Sequence, residues 1–229
     1  MKLFDQIFKK NKKDTKSDMN PSENVRRFIE EKLYPDLEKL GFKFSAKSLT
    51  IYRRVGNFNQ EIHFPKHKRN EGDEVVKFDL IFNITFPGYK KFHKQEYGIE
   101  ALNEGVAGNR AIDIQNWNLT FYETGWYDLA VVNEKDLKES IISNILGPGI
   151  DFLNAYSTPE KAIKTTFLSK SYYFRCPLLF DLAFILQNKE LATDILKWYD
   201  DYMLSGDKTM NENTQKNVEI RKLKLKEWV

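Results

Sequence analysis

The single cysteine is the side chain with the clearest potential for chemistry. Cys176 precedes Pro177, which suits the first turn of a helix, so the sulfur could occupy the N-cap, where the helix dipole favours a thiolate. A cysteine nucleophile also needs a base within hydrogen-bond reach, and the sequence places none of the histidines beside it. Because free cysteine is commonly buried as a small hydrophobe, we expect Cys176 to be structural. An enzyme that uses Cys176 is the alternative.

The histidines could hold a metal ion if the fold brought two of them together. His63 and His67 are four residues apart, but they lie in strand and loop sequence, where four residues span roughly 13 Å. Gly105 and Gly108 lack the third glycine and the lysine of a phosphate-binding loop. We therefore predict no metal site, no cofactor and no catalytic residue.

A long connection rich in aromatic and basic residues is the predicted binding surface. Residues 87–111 join two predicted strands, and connections of this length are often functional. Because aromatic side chains dominate interface energetics, part of this connection is the predicted site for a partner protein. The predicted partner-binding residues are Tyr89, Lys91, Phe92, His93 and Tyr97. Alternatively, the segment Tyr89–Tyr97 could stack on nucleic-acid bases, or its rings could anchor the loop while the lysines stay in water.

The charge distribution argues against a general nucleic-acid surface. The chain of 229 residues has 36 Lys and Arg and 33 Asp and Glu, a net charge of +3. Six lysines and two aspartates give residues 1–16 a charge of +4, so the rest of the chain carries −1. A global phosphate-binding surface needs a surplus of clustered cations, which the body of the chain lacks.

Residues 1–19 are predicted to form a basic leader ahead of the folded region. Its apolar residues fall on one helical face and lysines follow them, a pattern that could touch an anionic membrane surface. Two turns of helix are marginal alone in water, so a flexible leader is the first expectation and a peripheral membrane contact the alternative. No apolar run approaches the ~20 residues that cross a bilayer, and the secretory signal pattern is missing. With one cysteine and no internal disulfide, we expect a cytoplasmic protein.

The first helix is predicted to start at Asn20 and to end at Gly41. Asn20 can cap the first amides, and Pro21 fits the first helical position. Pro35 is expected to bend the helix or to restart it. One apolar stripe runs along this helix, made of Val25, Phe28, Ile29, Leu33, Leu37 and Leu40.

Alternating apolar and polar residues predict an antiparallel sheet of about four strands. Residues 49–55 and 58–64 flank Gly56-Asn57, a two-residue hairpin signal. A third strand is predicted over residues 76–86, with an apolar face that a helix must cover, and a fourth over residues 117–122. The residues predicted on the polar face of the third strand are Lys77, Asp79, Asn83 and Thr85.

The remainder, residues 133–229, is predicted to be helical. Asn133 is typical of a helix start, and residues 147–149 are predicted to end that helix. Residues 178–186 are apolar nearly all round, and residues 191–203 carry one apolar face, so together they predict a buried helix hairpin.

A short motif links the first helix to the strands. Pro35-Asp36-Leu37 is followed by Gly41-Phe42, which gives the pattern Pro-x-Leu-x-x-x-Gly-Phe, and the strands carry Tyr52-Arg53 and a segment centred on Gln60. In these features the chain resembles a family of uncharacterised bacterial domains. The resemblance implies an α+β fold and a role as an immunity or accessory protein of a bacterial toxin system, without known catalytic residues.

The sequence therefore predicts an α+β protein with an N-terminal helix packed on an antiparallel sheet of about four strands and a C-terminal helical layer. Residues 20–132 are expected to form the sheet domain, and residues 133–229 to pack on it as one unit. The predicted function is non-catalytic binding of another protein, with a toxin as the partner that the resemblance implies. Nucleic-acid binding through residues 89–97 and an enzyme that uses Cys176 are the alternatives.

Overall fold

The computed structural model describes residues 20–72, 74–169, 175–204 and 212–228, and the predicted leader at residues 1–19 lies outside them. Within these ranges the strands are β1 (Lys43–Ser45), β2 (Thr50–Val55), β3 (Phe58–His63), β4 (Lys77–Phe78), β5 (Ile81–Thr85), β6 (Gly105–Arg110) and β7 (Tyr127–Asp128). The α-helices there are α1 (Pro21–Phe28), α2 (Tyr34–Glu38), α3 (Tyr89–Tyr97), α4 (Glu134–Asn144), α5 (Ile150–Asn154), α6 (Pro159–Ser169), α7 (Cys176–Ile185), α8 (Lys189–Leu204) and α9 (Glu212–Glu227).

Five strands form one antiparallel sheet in the order β1-β2-β3-β5-β6, and β4 pairs antiparallel with β7. Helices α6 to α9 follow the sheet in the chain, and α7 packs against α6, α8 and α9. The predicted α+β class, with its antiparallel sheet and C-terminal helical layer, is confirmed. None of the helices in the described ranges combines the length and the apolar composition that a bilayer crossing requires.

The first helix begins as predicted. The side chain of Asn20 accepts a hydrogen bond from the Ser22 amide, and Pro21 occupies the first helical position. The helix then widens into a π-helical turn at Ile29–Leu33 and continues as α2, in which Pro35 is the second residue. A proline has no amide hydrogen to donate, so the change of helix type before Pro35 accommodates the missing bond.

The predicted hairpin between β2 and β3 is present. Val55 pairs with Phe58, and Gly56 has a φ of 58°, the left-handed conformation that glycine adopts without strain. The register pairs Ile51 with Ile62, which sets the fully buried side chains of both strands on one face.

The third predicted strand, residues 76–86, is interrupted in the structure. It is divided into β4 and β5, and the break lies at Asp79. The Asp79 side chain is buried and does not lie on the polar face as predicted. Its carboxylate accepts hydrogen bonds from the Leu80 amide at 2.8 Å, the Arg110 guanidinium at 2.8 Å and the Tyr122 hydroxyl at 2.5 Å. A side chain that bonds its neighbouring backbone competes with strand pairing, so the ladder stops there.

The fourth strand predicted over residues 117–122 is wrong. Trp117 is buried and its indole N–H donates to the Tyr127 hydroxyl at 2.9 Å. The Asn118 backbone bonds the Asn144 side-chain amide at both its N–H and its C=O, at 2.9 and 2.7 Å. Because a side chain of α4 satisfies this backbone, the segment needs no partner strand. The sheet is completed instead by β1 and by β6, which lies inside the predicted connection.

Helices cover one face of the sheet. Phe82 of β5 packs against the ring of Phe152 on α5, with ring centroids 6.4 Å apart. Gln60 of β3 is fully buried on the same face and donates from Nε2 to the Leu153 carbonyl at 2.8 Å. The helix that begins after Asn133 is interrupted at residues 147–149 as predicted, because Gly147 has non-helical backbone angles (φ −91°, ψ −106°), and a second helix continues beyond this kink as α5. This kink brings α5 onto the sheet.

Candidate functional site

The other face of the sheet is lined by polar and charged side chains. Strand side chains alternate between faces, so the register defines this surface, which we call the open face. Its residues are Lys43, Ser45, Thr50, Tyr52, Arg54, Asn59, Glu61, His63, Ile81, Asn83, Thr85, Gly108 and Arg110. Tyr52 and Arg54 are exposed, and Glu61 and Asn83 are half-buried. At Gly108 a Cβ would lie 2.5 Å from Asn83 Oδ1, so this glycine lets the amide of Asn83 lie across the edge strand.

Two concavities adjoin the open face. The larger, which we call the large groove, has a volume of about 990 Å³ and is bounded by β5, β6, the loop at residues 99–104 and the start of α9. The smaller, which we call the basic pocket, has a volume of about 470 Å³ and lies between the start of α1, the β1–β2 loop at residues 46–49 and the end of β3. Both are lined by Ile81 and Asn83, so the open face and the two concavities form one continuous surface.

A hydroxyl, an imidazole and a carboxylate form a hydrogen-bonded chain on the open face. Thr50 Oγ1 lies 3.0 Å from His63 Nδ1, and His63 Nε2 lies 2.9 Å from Glu61 Oε2. These residue types in this order could activate a nucleophile. However, Thr50 is 5% exposed, and its hydroxyl also lies 3.1 Å from the Ser48 carbonyl, to which it can donate. The hydroxyl is thus held within the protein rather than presented to a substrate.

The predicted partner-binding residues of α3 mostly face inward. Tyr89 and His93 are buried, Phe92 and Tyr97 are half-buried, and Lys91 alone among the five is exposed. Phe92 packs on Phe184 of α7, and His93 donates from Nδ1 to the Ile99 carbonyl at 2.8 Å. The aromatic side of α3 holds this helix to the helical layer while Lys91 stays in water, which agrees with the alternative in which the rings anchor the segment. Partner binding by these five residues stays a prediction. The same packing occupies the rings that nucleic-acid stacking would require.

The side of α3 that faces the helical layer contacts a buried ion pair between Asp181 and Arg221. The Arg221 guanidinium of α9 donates from Nε and Nη2 to Asp181 of α7, at 3.0 and 2.5 Å. The hydroxyls of Tyr89 and Tyr97 donate to the two oxygens of the same carboxylate, at 2.6 and 2.5 Å. Arg221 also lies over the Tyr97 ring, 4.5 Å from its centroid, and donates to the Pro177 carbonyl. We call these four side chains the Asp181 cluster.

Protonation in the Asp181 cluster follows from burial and charge. Desolvation acts to lower the pKa of Arg221, but the Asp181 charge and its hydrogen bonds outweigh this effect and raise that pKa. Burial, together with the negative charge of Asp181, raises the pKa of Tyr89 and of Tyr97. The hydroxyls therefore remain protonated and act as donors. Every group in the cluster has a partner, so its role is to join α3, α7 and α9.

Cys176 lies one position further into the helix than the predicted N-cap. Cys176 is the first residue of α7, Arg175 occupies the N-cap, and the thiol is fully buried, 3.8 Å from the Ile195 carbonyl. Burial, the largest influence, raises the pKa of the Cys176 thiol to about 12. The N-terminal position in a helix does not produce a thiolate here, because desolvation outweighs the helix dipole.

We expect Cys176 to resist alkylation in the native protein. With a pKa near 12 the thiol is neutral at pH 8, and the packed helices exclude the reagent. Intact-mass measurement after iodoacetamide treatment at pH 8 should show no adduct in the native chain and one adduct in 6 M guanidinium. Rapid labelling of the native protein would restore Cys176 as a candidate nucleophile.

The open face contains none of the predicted partner-binding residues. Its polar residues at alternate positions, such as Arg54, Asn59 and Glu61, were visible as the outward side of predicted strands. Within the described ranges, no three His, Cys, Asp or Glu side chains come together in a way that could hold a metal ion.

No protein-family model matches the chain, and no curated protein or solved structure matches it significantly.

Proposed function

We propose that the protein is a non-catalytic binding module that receives another protein on the open face. The observation that carries the proposal is the continuity of this face with the large groove and the basic pocket through Ile81 and Asn83. Antiparallel sheets often leave one face in water, but a flat solvated face has no adjoining concavities. A surface with two adjoining depressions can take protruding side chains of a partner.

Residue types at the surface support protein binding. Tyr52 is 38% exposed on the open face, between Lys43 of β1 and Glu61 of β3, and Arg54 lies beside it on β2. Tyrosine and arginine are enriched among the residues that dominate binding energy. In the loop that bounds the large groove, Leu102 is 85% exposed and Ile99 is 49% exposed. Large apolar side chains at the rim of a concave surface are typical of interaction sites.

The specific form of the proposal is an immunity or accessory role toward a bacterial toxin, as the motif resemblance implies. This form predicts one defined partner that contacts the open face. A catalytic role has less support, because the Thr50 hydroxyl is internally bonded and the Cys176 thiol is buried.

We expect a photo-cross-linker at position 52 to capture one defined protein. The full chain carrying p-benzoylphenylalanine in place of Tyr52 would be irradiated in the cells that produce it, and adducts would be identified by mass spectrometry. The matched control carries the cross-linker at Glu139, an exposed position on α4 away from the open face. A discrete adduct at 52 that is missing at 139 supports the proposal. No adduct at 52, or the same adducts at both positions, would contradict it.

A further inference from the structure

Two lysines of the basic pocket have no acidic partner within the described residues. Lys47 and Lys66 line the pocket, and neither forms an ion pair there. Lys66 Nζ donates to the Ser22 hydroxyl at 2.7 Å, which leaves two of its three N–H groups for another acceptor. Arg26, the third cation of the lining, is different, because Glu23 and Glu30 bind its guanidinium.

The charge of the pocket is positive. Of the described lining residues, Glu23 alone carries a carboxylate, and it is bound to Arg26. The ammonium groups of Lys47 and Lys66 are therefore in excess. Positive groups that line a concavity reinforce one another and draw anions toward it.

Residues of the β1–β2 loop belong to the same lining. In the β1–β2 loop, the N–H groups of Ala46, Lys47 and Ser48 donate to no acceptor in the described part of the chain. The loop closes with Leu49 at a φ of 48°, in the left-handed region that is uncommon for a residue other than glycine. Successive free N–H groups in such a turn form a concavity that binds anions.

The rest of the lining is partly polar, with Ser22, Ser48, His63 and Asn83, and partly apolar. The apolar walls are formed by Ala46, Leu49, Phe64, Pro65 and Ile81, of which Leu49 and Phe64 are buried. An inorganic anion has nothing to place against these walls. The two methylene groups of a glutamate side chain would lie along them while its carboxylate meets the lysines, so the lining fits an acidic side chain.

We propose that the basic pocket binds a carboxylate, and that in the complex this carboxylate belongs to an acidic side chain of the partner protein. The source of the carboxylate rests on the proposed function. The anion site itself rests on Lys47, Lys66 and the free amides of the β1–β2 loop. The partner therefore presents an acidic residue at the end of the open face next to α1.

The test is a titration of the ¹⁵N-labelled full chain followed by NMR. The probes are N-acetylglutamate N-methylamide, its glutamine counterpart and sodium phosphate. We expect the glutamate compound to shift the amide signals of Lys47 and Ser48 and the side-chain amide of Asn83, and the glutamine compound to leave them in place. Lys47→Gln and Lys66→Gln should each weaken binding by about threefold, the size of a partly exposed charge interaction.

The matched control is Lys68→Gln, because Lys68 is exposed on the same loop as Lys66 but does not line the pocket. Equal weakening by Lys68→Gln would show a diffuse charge effect and overturn the site. No shift with the glutamate compound, or shifts with phosphate only, would overturn the carboxylate assignment. If the cross-linker at position 52 captures a protein but the glutamate compound shifts no NMR signal, this inference alone is overturned. If the glutamate compound shifts the pocket signals but no cross-linked adduct forms, the partner proposal alone is overturned.

Discussion

Replacing Asp181 by asparagine is expected to lower the free energy of unfolding by about 3–5 kcal/mol, the cost of leaving one member of a buried ion pair without its partner. The Arg221 side chain is 1% exposed, so it has almost no contact with water that could replace the lost carboxylate charge. Asparagine keeps one carbonyl oxygen and replaces the other by an NH2 donor, so one of the Tyr89 and Tyr97 hydroxyls would also lose its acceptor. Urea unfolding monitored by circular dichroism would give the free energy of unfolding for Asp181→Asn and for the wild type.

Two further variants make this result specific. The control is Lys222→Met, which removes a partly exposed ion pair with Asp200 and should cost less than about 1 kcal/mol. The double variant Asp181→Leu with Arg221→Met removes both buried charges and should recover part of the loss, since an apolar pair of similar size needs no counter-charge. A loss for Asp181→Asn no larger than for Lys222→Met would show that the cluster is hydrated rather than buried.

Phe82→Ala is expected to destabilise the protein by about 3–5 kcal/mol, the usual cost of truncating a buried phenylalanine. The Phe82 ring packs edge-on against Trp117 at 5.4 Å between centroids and meets Phe152 on the other side. Its edge also lies 3.0 Å from the position of a Cβ on Gly149, so the backbone of the kink touches the ring. Few side chains remain that could fill the cavity. The midpoint of thermal unfolding and the urea midpoint would both fall.

Asn83, the residue after Phe82, provides the matched control, because its side chain lies on the opposite face of the sheet. Asn83 follows Phe82 on β5 but points to the open face, so Asn83→Ala should change stability by less than about 1 kcal/mol. The contrast between neighbouring positions tests the claim that one face is covered and the other is not. Comparable losses at both positions would mean that something packs on the open face in the free protein.

Local signals predicted the parts of the fold that depend on short-range chemistry. The Asn20 cap and the Gly56 turn each use groups within a few residues of one another, so their residue types are sufficient to identify them. The apolar face of β5 was likewise predictable, since alternation shows which side chains avoid water. The cover on that face was not fully predictable, because α5 reaches it only through the kink at residues 147–149.

The errors arose where a distant residue decides the local structure. Residues 117–122 alternate like a strand, but the amide of Asn144 takes the place of a partner strand. The rings of Tyr89 and Tyr97 suggested anchors for a partner protein, yet both hydroxyls bind Asp181, which follows them by 92 and 84 residues. The open face was predictable only in part: alternation shows which side chains of the strands are polar, but it does not show that two concavities adjoin this face.

The Asp181 cluster also bears on how long the native state lasts. Its bonds join positions separated by 40, 84 and 92 residues, so closing them costs more chain entropy than forming a turn or a neighbouring hairpin. We expect the bonds of this cluster to form after the rate-limiting step of folding, which corresponds to φ-values near zero for its four residues. Weakening them then accelerates unfolding and leaves the folding rate nearly unchanged. We therefore expect the Asp181 cluster to lengthen the lifetime of the folded molecule more than it changes the folding rate.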